Sequence, residues 1–173
     1  GGFAEYVDQT DERLVADPQL GSNDVEEKDY AWADLDKDGD IDLVCVRKEP
    51  FTSTGRARNV LFMNEFGQLV DRTEQYAVAS DVAGDQGFLT PTNDRDVIIH
   101  DVNGDTWLDM VTVTTLTDYD EKHLSHPRVY INLGEIDGKW QGFRFENERI
   151  PEMHSVAGPR FCSLAIEDVT GDG

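Results

Sequence analysis

Two nine-residue stretches, Asp34-Leu35-Asp36-Lys37-Asp38-Gly39-Asp40-Ile41-Asp42 and Asp101-Val102-Asn103-Gly104-Asp105-Thr106-Trp107-Leu108-Asp109, constrain this chain more than anything else in it. Each places oxygen-bearing side chains at positions 1, 3, 5 and 9 of a turn-forming sequence. A third stretch, Asp168-Val169-Thr170-Gly171-Asp172-Gly173, opens in the same way. The first aspartates fall at 34, 101 and 168, an interval of 67 residues twice over. A fixed period of this length reads as stacked copies of one supersecondary unit, none of which buries its apolar face alone.

The residue types in these loops point to a hard cation. Calcium takes six to eight oxygens at about 2.3–2.6 Å, and a tight loop of alternating carboxylates supplies them. Aspartate, asparagine and glycine are also ordinary turn formers, so acidic turns without metal are the competing reading. The first loop, however, carries aspartate at 34, 36, 38, 40 and 42. Carboxylates that close repel one another unless a cation neutralises them. An EF-hand needs glutamate at position 12 and helices on both sides. Position 12 here is Cys45 in one loop and Thr112 in the other, and the flanks read as strands.

Those flanks are Tyr30–Ala33 and Leu43–Val46, then Val97–His100 and Met110–Val113, with Phe161–Ile166 before the third loop. They are short, rich in β-branched and aromatic residues, and bounded by turn formers, which predicts hairpins whose connections are the acidic loops. Val60–Asn64 matches Val129–Asn132, and Gly67–Thr73 matches Gly2–Thr10, with a less faithful copy at Gly142–Glu146. The expectation is all-β: about four strands per repeat and no sustained helical period. Residues 31–97 form a first repeat with loop 34–42, and residues 98–164 a second with loop 101–109. Residues 1–30 read as the second half of a preceding repeat and 165–173 as the start of a third, so the chain is expected to be a segment of a longer tandem array. The stretch Asp11–Lys28 holds at most a short helix, and Thr117–Pro127 is expected to enlarge the second repeat.

Composition bounds the partners. With 36 acidic and 15 basic residues the net charge is −21, which argues against nucleic acid and anionic membrane surfaces. No apolar run approaches the roughly 18 residues of a membrane-spanning helix. The chain opens Gly1-Gly2-Phe3 with neither Met nor a basic leader, so its natural start is expected upstream. Cys45 and Cys162 are expected to be buried free thiols. Trp32 and Trp107 read as packing residues, and Trp140, between glycines, as an exposed ring able to stack on a glycan. The segment Asp118–His126 carries two imidazoles that admit a transition metal, yet its composition is that of a solvated, partner-contacting loop. No catalytic motif stands out.

The order of acidic hairpin, Val60-Leu61-Phe62-Met63-Asn64, Gly67 and Val70-Asp71-Arg72-Thr73 resembles the FG-GAP/VCBS-type repeats of integrin α-subunit heads and of many secreted proteins. The resemblance covers nearly the whole chain. It implies four-stranded β-propeller blades in tandem, with Ca²⁺ in the hairpin between the first two strands of each. It assigns the first site to the side chains of Asp34, Asp36, Asp38 and Asp42 and the carbonyl of Asp40. The second site takes Asp101, Asn103, Asp105 and Asp109 with the carbonyl of Trp107. A partial third takes Asp168, Thr170 and Asp172. Thr106 stands where the family usually has glycine, and Ala157-Gly158-Pro159 is only a scrambled echo of the Gly-Ala-Pro signature. The implied role is a calcium-stabilised adhesion or assembly scaffold, non-catalytic, outside the cell, on its surface or in the periplasm. Its partners would be a protein, a glycan or further copies meeting through open blade faces. The alternative is a propeller domain of a secreted polysaccharide-active enzyme or carbohydrate-binding protein.

Overall fold

The strand-like segments that flank the acidic loops pair across them. The computed structural model describes residues 6–16, 26–50, 55–115, 120–153 and 161–170. Along these, α1 (Thr10–Arg13) and β1 (Leu14–Val15) precede β2 (Glu27–Ala33), β3 (Asp42–Arg47), β4 (Val60–Glu65) and β5 (Gln68–Asp71). Then come α2 (Thr73–Tyr76), β6 (Ala79–Ser80), β7 (Asp94–His100), β8 (Asp109–Thr114), α3 (Lys122–Ser125) and β9 (Arg128–Asn132). A small hairpin, β10 (Glu135–Ile136) and β11 (Lys139–Trp140), leads into β12 (Phe143–Phe145).

Two five-stranded sheets result, ordered β1-β5-β4-β3-β2 and β6-β12-β9-β8-β7. In each, four strands follow one another as an antiparallel meander, and the acidic loop joins the first two. The fifth strand is a correction to the expected four. β1 pairs in parallel with β5, and β6 in parallel with β12, over two residues each. The chain thus leaves the first sheet at β5, turns through α2, and stitches the outer edge of the second before entering it. A short parallel partner covers an edge that would otherwise present unpaired backbone groups.

Local chemistry sets these turns. Asp71 Oδ1 accepts the N–H and the hydroxyl of Thr73 at 3.0 and 2.7 Å, starting α2. Asp8 does the same for Thr10 at 2.9 and 2.7 Å, starting α1. The matched Val-Asp-Arg-Thr and Val-Asp-Gln-Thr segments are therefore one structural device. Gly87 follows α2 with φ +56°, where a Cβ would lie 2.2 Å from the carbonyl oxygen of Ala77.

The sheets face each other. Val44, Val46, Leu61 and Met63 of the first pack with Val97, Met110, Tyr130, Phe143 and Phe145 of the second in one buried cluster. Beneath it lies Arg128, fully buried, which grips Asp85 with two bonds of 2.9 and 3.0 Å. Its guanidinium lies 3.7 Å from the centre of the Phe145 ring, and its Nε donates to the Tyr130 hydroxyl at 2.6 Å. Nearby Asp94, also fully buried, accepts Asn59 Nδ2 at 2.5 Å, joining the start of β7 to the first sheet. Burial holds the Asp94 carboxyl above its ordinary value.

Other expectations need correction. Phe161–Ile166 carries no regular strand, and Cys162 is exposed, while Cys45 is buried as expected and both thiols are free. Trp32 is 58% exposed rather than packed. The connections 48–59 and 115–127 are nearly equal in length, so Thr117–Pro127 does not enlarge the second unit. The growth lies between β9 and β12, where β10 and β11 replace the two-residue turn Phe66-Gly67. The expected limits at 30/31 and 97/98 fall inside β2 and β7. No helix among the described residues is long and apolar enough to cross a membrane.

Arg128→Met should cost about 3–5 kcal/mol, because it leaves the buried Asp85 carboxylate without its cation. Urea unfolding measures this, and a loss below about 1 kcal/mol would place the pair among surface-like ion pairs.

Candidate metal centre

The loop between β2 and β3 is built around its last residue. Asp42 is 1% exposed, and its Oδ2 accepts the Leu35 N–H at 2.9 Å while Oδ1 accepts the Asn64 N–H at 2.8 Å. Asn64 answers by donating Nδ2 to the Ile41 carbonyl at 3.2 Å and accepting the Gly67 N–H on Oδ1 at 2.9 Å. The second loop repeats this bracket bond for bond. Asp109 accepts Val102 N–H at 3.0 Å and Asn132 N–H at 2.8 Å. Asn132 in turn donates to the Leu108 carbonyl at 3.1 Å and accepts Gly134 N–H at 3.0 Å. The ninth-position aspartate is therefore a structural bracket to the third strand, as well as a candidate ligand. Asn64 and Asn132 were visible in the sequence only as matched ends of two strands.

Within the first loop, Asp34, Asp36 and Asp42 each bring a carboxylate oxygen within 4.8 Å of the other two. Asp34 Oδ2 accepts the Gly39 N–H at 3.2 Å, but its Oδ1 is buried and has no hydrogen-bond partner. A buried, donorless carboxylate oxygen is costly unless a cation meets it. Burial, then the neighbouring carboxylates of Asp38 and Asp34, hold Asp36 above its ordinary value. Burial above all, opposed by its two backbone donors and reinforced by Asp36 and Asp38, pushes Asp42 up to about 6. The donor set is all oxygen and the charge uncompensated, so the residues fit a hard divalent cation. Asp38 lies outside the three-carboxylate group, its Oδ1 accepting the Asp40 N–H at 2.8 Å. Asp40 itself is exposed.

The second loop closes on itself instead. Asp101 Oδ1 accepts Gly104 and Asp105 N–H at 2.8 and 3.2 Å, and Oδ2 accepts Thr106 N–H at 2.8 Å. Against the cost of desolvation, these donors hold the Asp101 carboxyl below its ordinary value. Asn103 turns its amide nitrogen to Asp105 Oδ2 at 2.8 Å, and Trp107 N–H binds Asp105 Oδ1 at 2.8 Å. Both loops need a left-handed backbone at their fourth and sixth positions. Lys37 and Gly39 have φ +62° and +97°, and Gly104 and Thr106 have +76° and +74°. The glycine has moved from sixth to fourth position, which leaves β-branched Thr106 in the conformation it tolerates least.

The two loops touch. Lys37 Nζ lies 4.1 Å from the centre of the Trp107 ring and 3.2 Å from Thr106 Oγ1, and Asn132 Nδ2 also reaches the Leu35 carbonyl at 2.9 Å. In the third stretch Asp168 Oδ1 accepts the Thr170 N–H at 3.1 Å, and Asp172 lies outside the described residues. The transition-metal reading of Asp118–His126 is not supported. His126 has Nδ1 2.8 Å from Ser125 Oγ, and its Nε2 accepts Met153 N–H at 2.8 Å; Asp118 and Tyr119 lie outside the described residues. Trp140 is half-buried against Tyr76 and Phe143, with Nε1 bound to Asn132 at 2.8 Å, rather than an exposed platform. Comparison with known protein families, with curated proteins and with solved structures finds no match.

Bracket and ligand roles separate by mutation. In chelator, Asp42→Asn and Asp109→Asn should each cost about 1–3 kcal/mol, because an amide cannot accept both backbone donors. Asp36→Ala, which removes no buried bond, should leave chelator stability within about 0.5 kcal/mol of the parent; denaturant midpoints report both.

The raised Asp42 carboxyl binds its proton more tightly in the folded chain than in the unfolded one. Its contribution to stability is therefore full below about pH 4 and is lost as pH rises through about 6. A carboxyl-carbon NMR titration in chelator should place the Asp42 midpoint near 6, and added calcium should move it down.

Proposed function

We propose that this chain is a calcium-stabilised interaction scaffold of the extracellular space, non-catalytic, built from tandem blades of β-propeller type. The observation that carries the reading is the buried, donorless Oδ1 of Asp34, set among the carboxylates of Asp36 and Asp42 on a loop already fixed by the Asp42–Asn64 bracket. A cation there gathers charges that otherwise repel, so its binding energy adds to folding energy. The resemblance to FG-GAP/VCBS repeats supports the same reading, as do the two meander sheets with the loop between their first strands.

Asp34, Asp36 and Asp42 would hold the ion in the first loop, with Asp38 and the Asp40 carbonyl completing its shell. In the second loop Asp101, Asp105, Asp109, the Asn103 side chain and the Trp107 carbonyl would do so only after Asn103 turns its amide oxygen inward. The first loop is therefore the stronger site. Loops of this extracellular type bind at roughly 10⁻⁴–10⁻³ M, which suits millimolar calcium outside cells.

Thermal and urea unfolding in chelator and then across a calcium titration test this. Calcium at about a hundred times the dissociation constant should stabilise the chain by about 2.7 kcal/mol per site. Asp34→Asn or Asp36→Ala should remove most of that gain. Equal stability in chelator and in saturating calcium would exclude a structural cation.

A further inference from the structure

The first sheet carries a cavity of about 670 Å³ at the end away from its acidic loop. That loop joins β2 to β3 at one end, whereas Glu26 before β2, Arg47 closing β3 and Asn59 before β4 stand at the other. The volume falls within the roughly 300–1,000 Å³ of small-molecule sites. Four of the chain's 15 basic residues line it, Arg47, Arg56, Arg58 and Arg72, against three of its 36 acidic ones. A chain of net charge −21 has thus gathered guanidinium groups into one concavity. Part of the remaining wall is aliphatic, from Val15, Val60, Val70 and Leu89.

Three of the four arginines have carboxylate partners. Arg47 Nη2 donates to Glu26 at 3.1 Å, Arg56 lies 2.5 Å from Asp120, and Arg72 meets Glu65 through bonds of 2.5 and 2.8 Å. Arg58 differs: its exposed guanidinium has no hydrogen bond or ion pair among the described residues. Its backbone is nevertheless fixed. The Arg58 carbonyl accepts Arg47 Nη1 at 3.2 Å, and the Asn59 side chain accepts the Arg47 N–H at 3.0 Å. Arg47 is itself buried. Burial, and then the nearby Arg58 charge, hold the Arg47 guanidinium below its ordinary value. Of the wall's three carboxylates, Glu26 is on Arg47, Asp71 is on Thr73, and Glu74 is exposed to solvent.

We infer that this cavity binds a small ligand with one carboxylate on an aliphatic body, the carboxylate on Arg58 beside Arg47 and the body against Val15, Val60 and Val70. A guanidinium offers paired N–H donors in the planar geometry a carboxylate accepts. The aliphatic wall gains by covering an apolar chain, which a bare inorganic anion does not provide. One arginine without a counter-charge supports one negative charge, and Glu74 opposes a second. A monocarboxylate therefore fits better than a phosphate dianion. The site shares no residue with the acidic loops, so it stands or falls independently of their cation.

Titrating the isotope-labelled whole chain with hexanoate at neutral pH tests it by NMR, in calcium and in chelator. The backbone amides of residues 56–60 and 70–75 and the Arg58 Nε–H should shift together, with a dissociation constant of roughly 1–10 mM. Arg58→Gln alters an exposed side chain, so its amide spectrum should stay that of the folded parent while hexanoate binds at least about tenfold more weakly. Hexanol, hexylamine and inorganic phosphate, each lacking either the carboxylate or the aliphatic body, should also bind at least about tenfold more weakly than hexanoate. No shift at the cavity up to about 100 mM hexanoate overturns the inference. Binding that Arg58→Gln leaves unchanged, or that hexanol or phosphate equals, overturns it as well.

Discussion

A buried carboxylate at the end of each acidic loop ties three strands together. Asp42 and Asp109 sit where the hairpin closes, accept one N–H from the second position of the loop, and accept another from the end of the third strand. Removing either acceptor frees a backbone donor in a place water does not reach. The loop is thereby held in shape before any cation arrives, which lowers the ordering cost of binding one. The same bracket fixes where the third strand ends. It also sets the register of Asn64 and Asn132, the second of which reaches across to the neighbouring loop at Leu35.

Two copies of one loop have reached different states from this common frame. In the first, carboxylate oxygens converge and one of them has no donor. In the second, backbone N–H groups and the Asn103 amide take up the carboxylates of Asp101 and Asp105. The asparagine accounts for much of this, because it brings a donor where Asp36 brings only acceptors. The position of glycine accounts for more. Thr106 holds a left-handed backbone that Gly39 adopts freely, and the bond from its N–H to Asp101 helps to keep it there. Acidic spacing alone does not distinguish a loop that keeps a buried carboxylate oxygen without a donor from one that has satisfied itself.

The meander and the loop positions were legible in the sequence, because alternating apolar residues and Asp/Gly turns act over a few residues. The Asp-x-Thr helix starts were legible as a repeated segment, though not as a chemical device. The parallel strands β1 and β6 were not, since a two-residue pairing leaves no pattern and depends on a partner far along the chain. The hairpin β10–β11 was too short to register, and the growth of the second unit was placed in the wrong connection. Trp32 and Cys162 were misjudged for one reason. Apolar side chains were assumed to be buried, whereas Trp32 lies on the outer face of the edge strand β2 and Cys162 on a segment without regular strand. Of the first loop, Asp34, Asp36 and Asp42 converge, while Asp38 stands outside that group with one oxygen on the Asp40 N–H. That distinction depends on rotamers which spacing does not encode.

Calorimetric calcium titration of the parent chain beside Asp34→Asn tests the central claim most directly. The account predicts a stronger binding step that the substitution abolishes and that Asp101→Asn leaves intact, since the open loop is the one with the donorless oxygen. A parent chain that takes up no calcium would contradict it. So would a stronger step that Asp101→Asn removes and Asp34→Asn preserves.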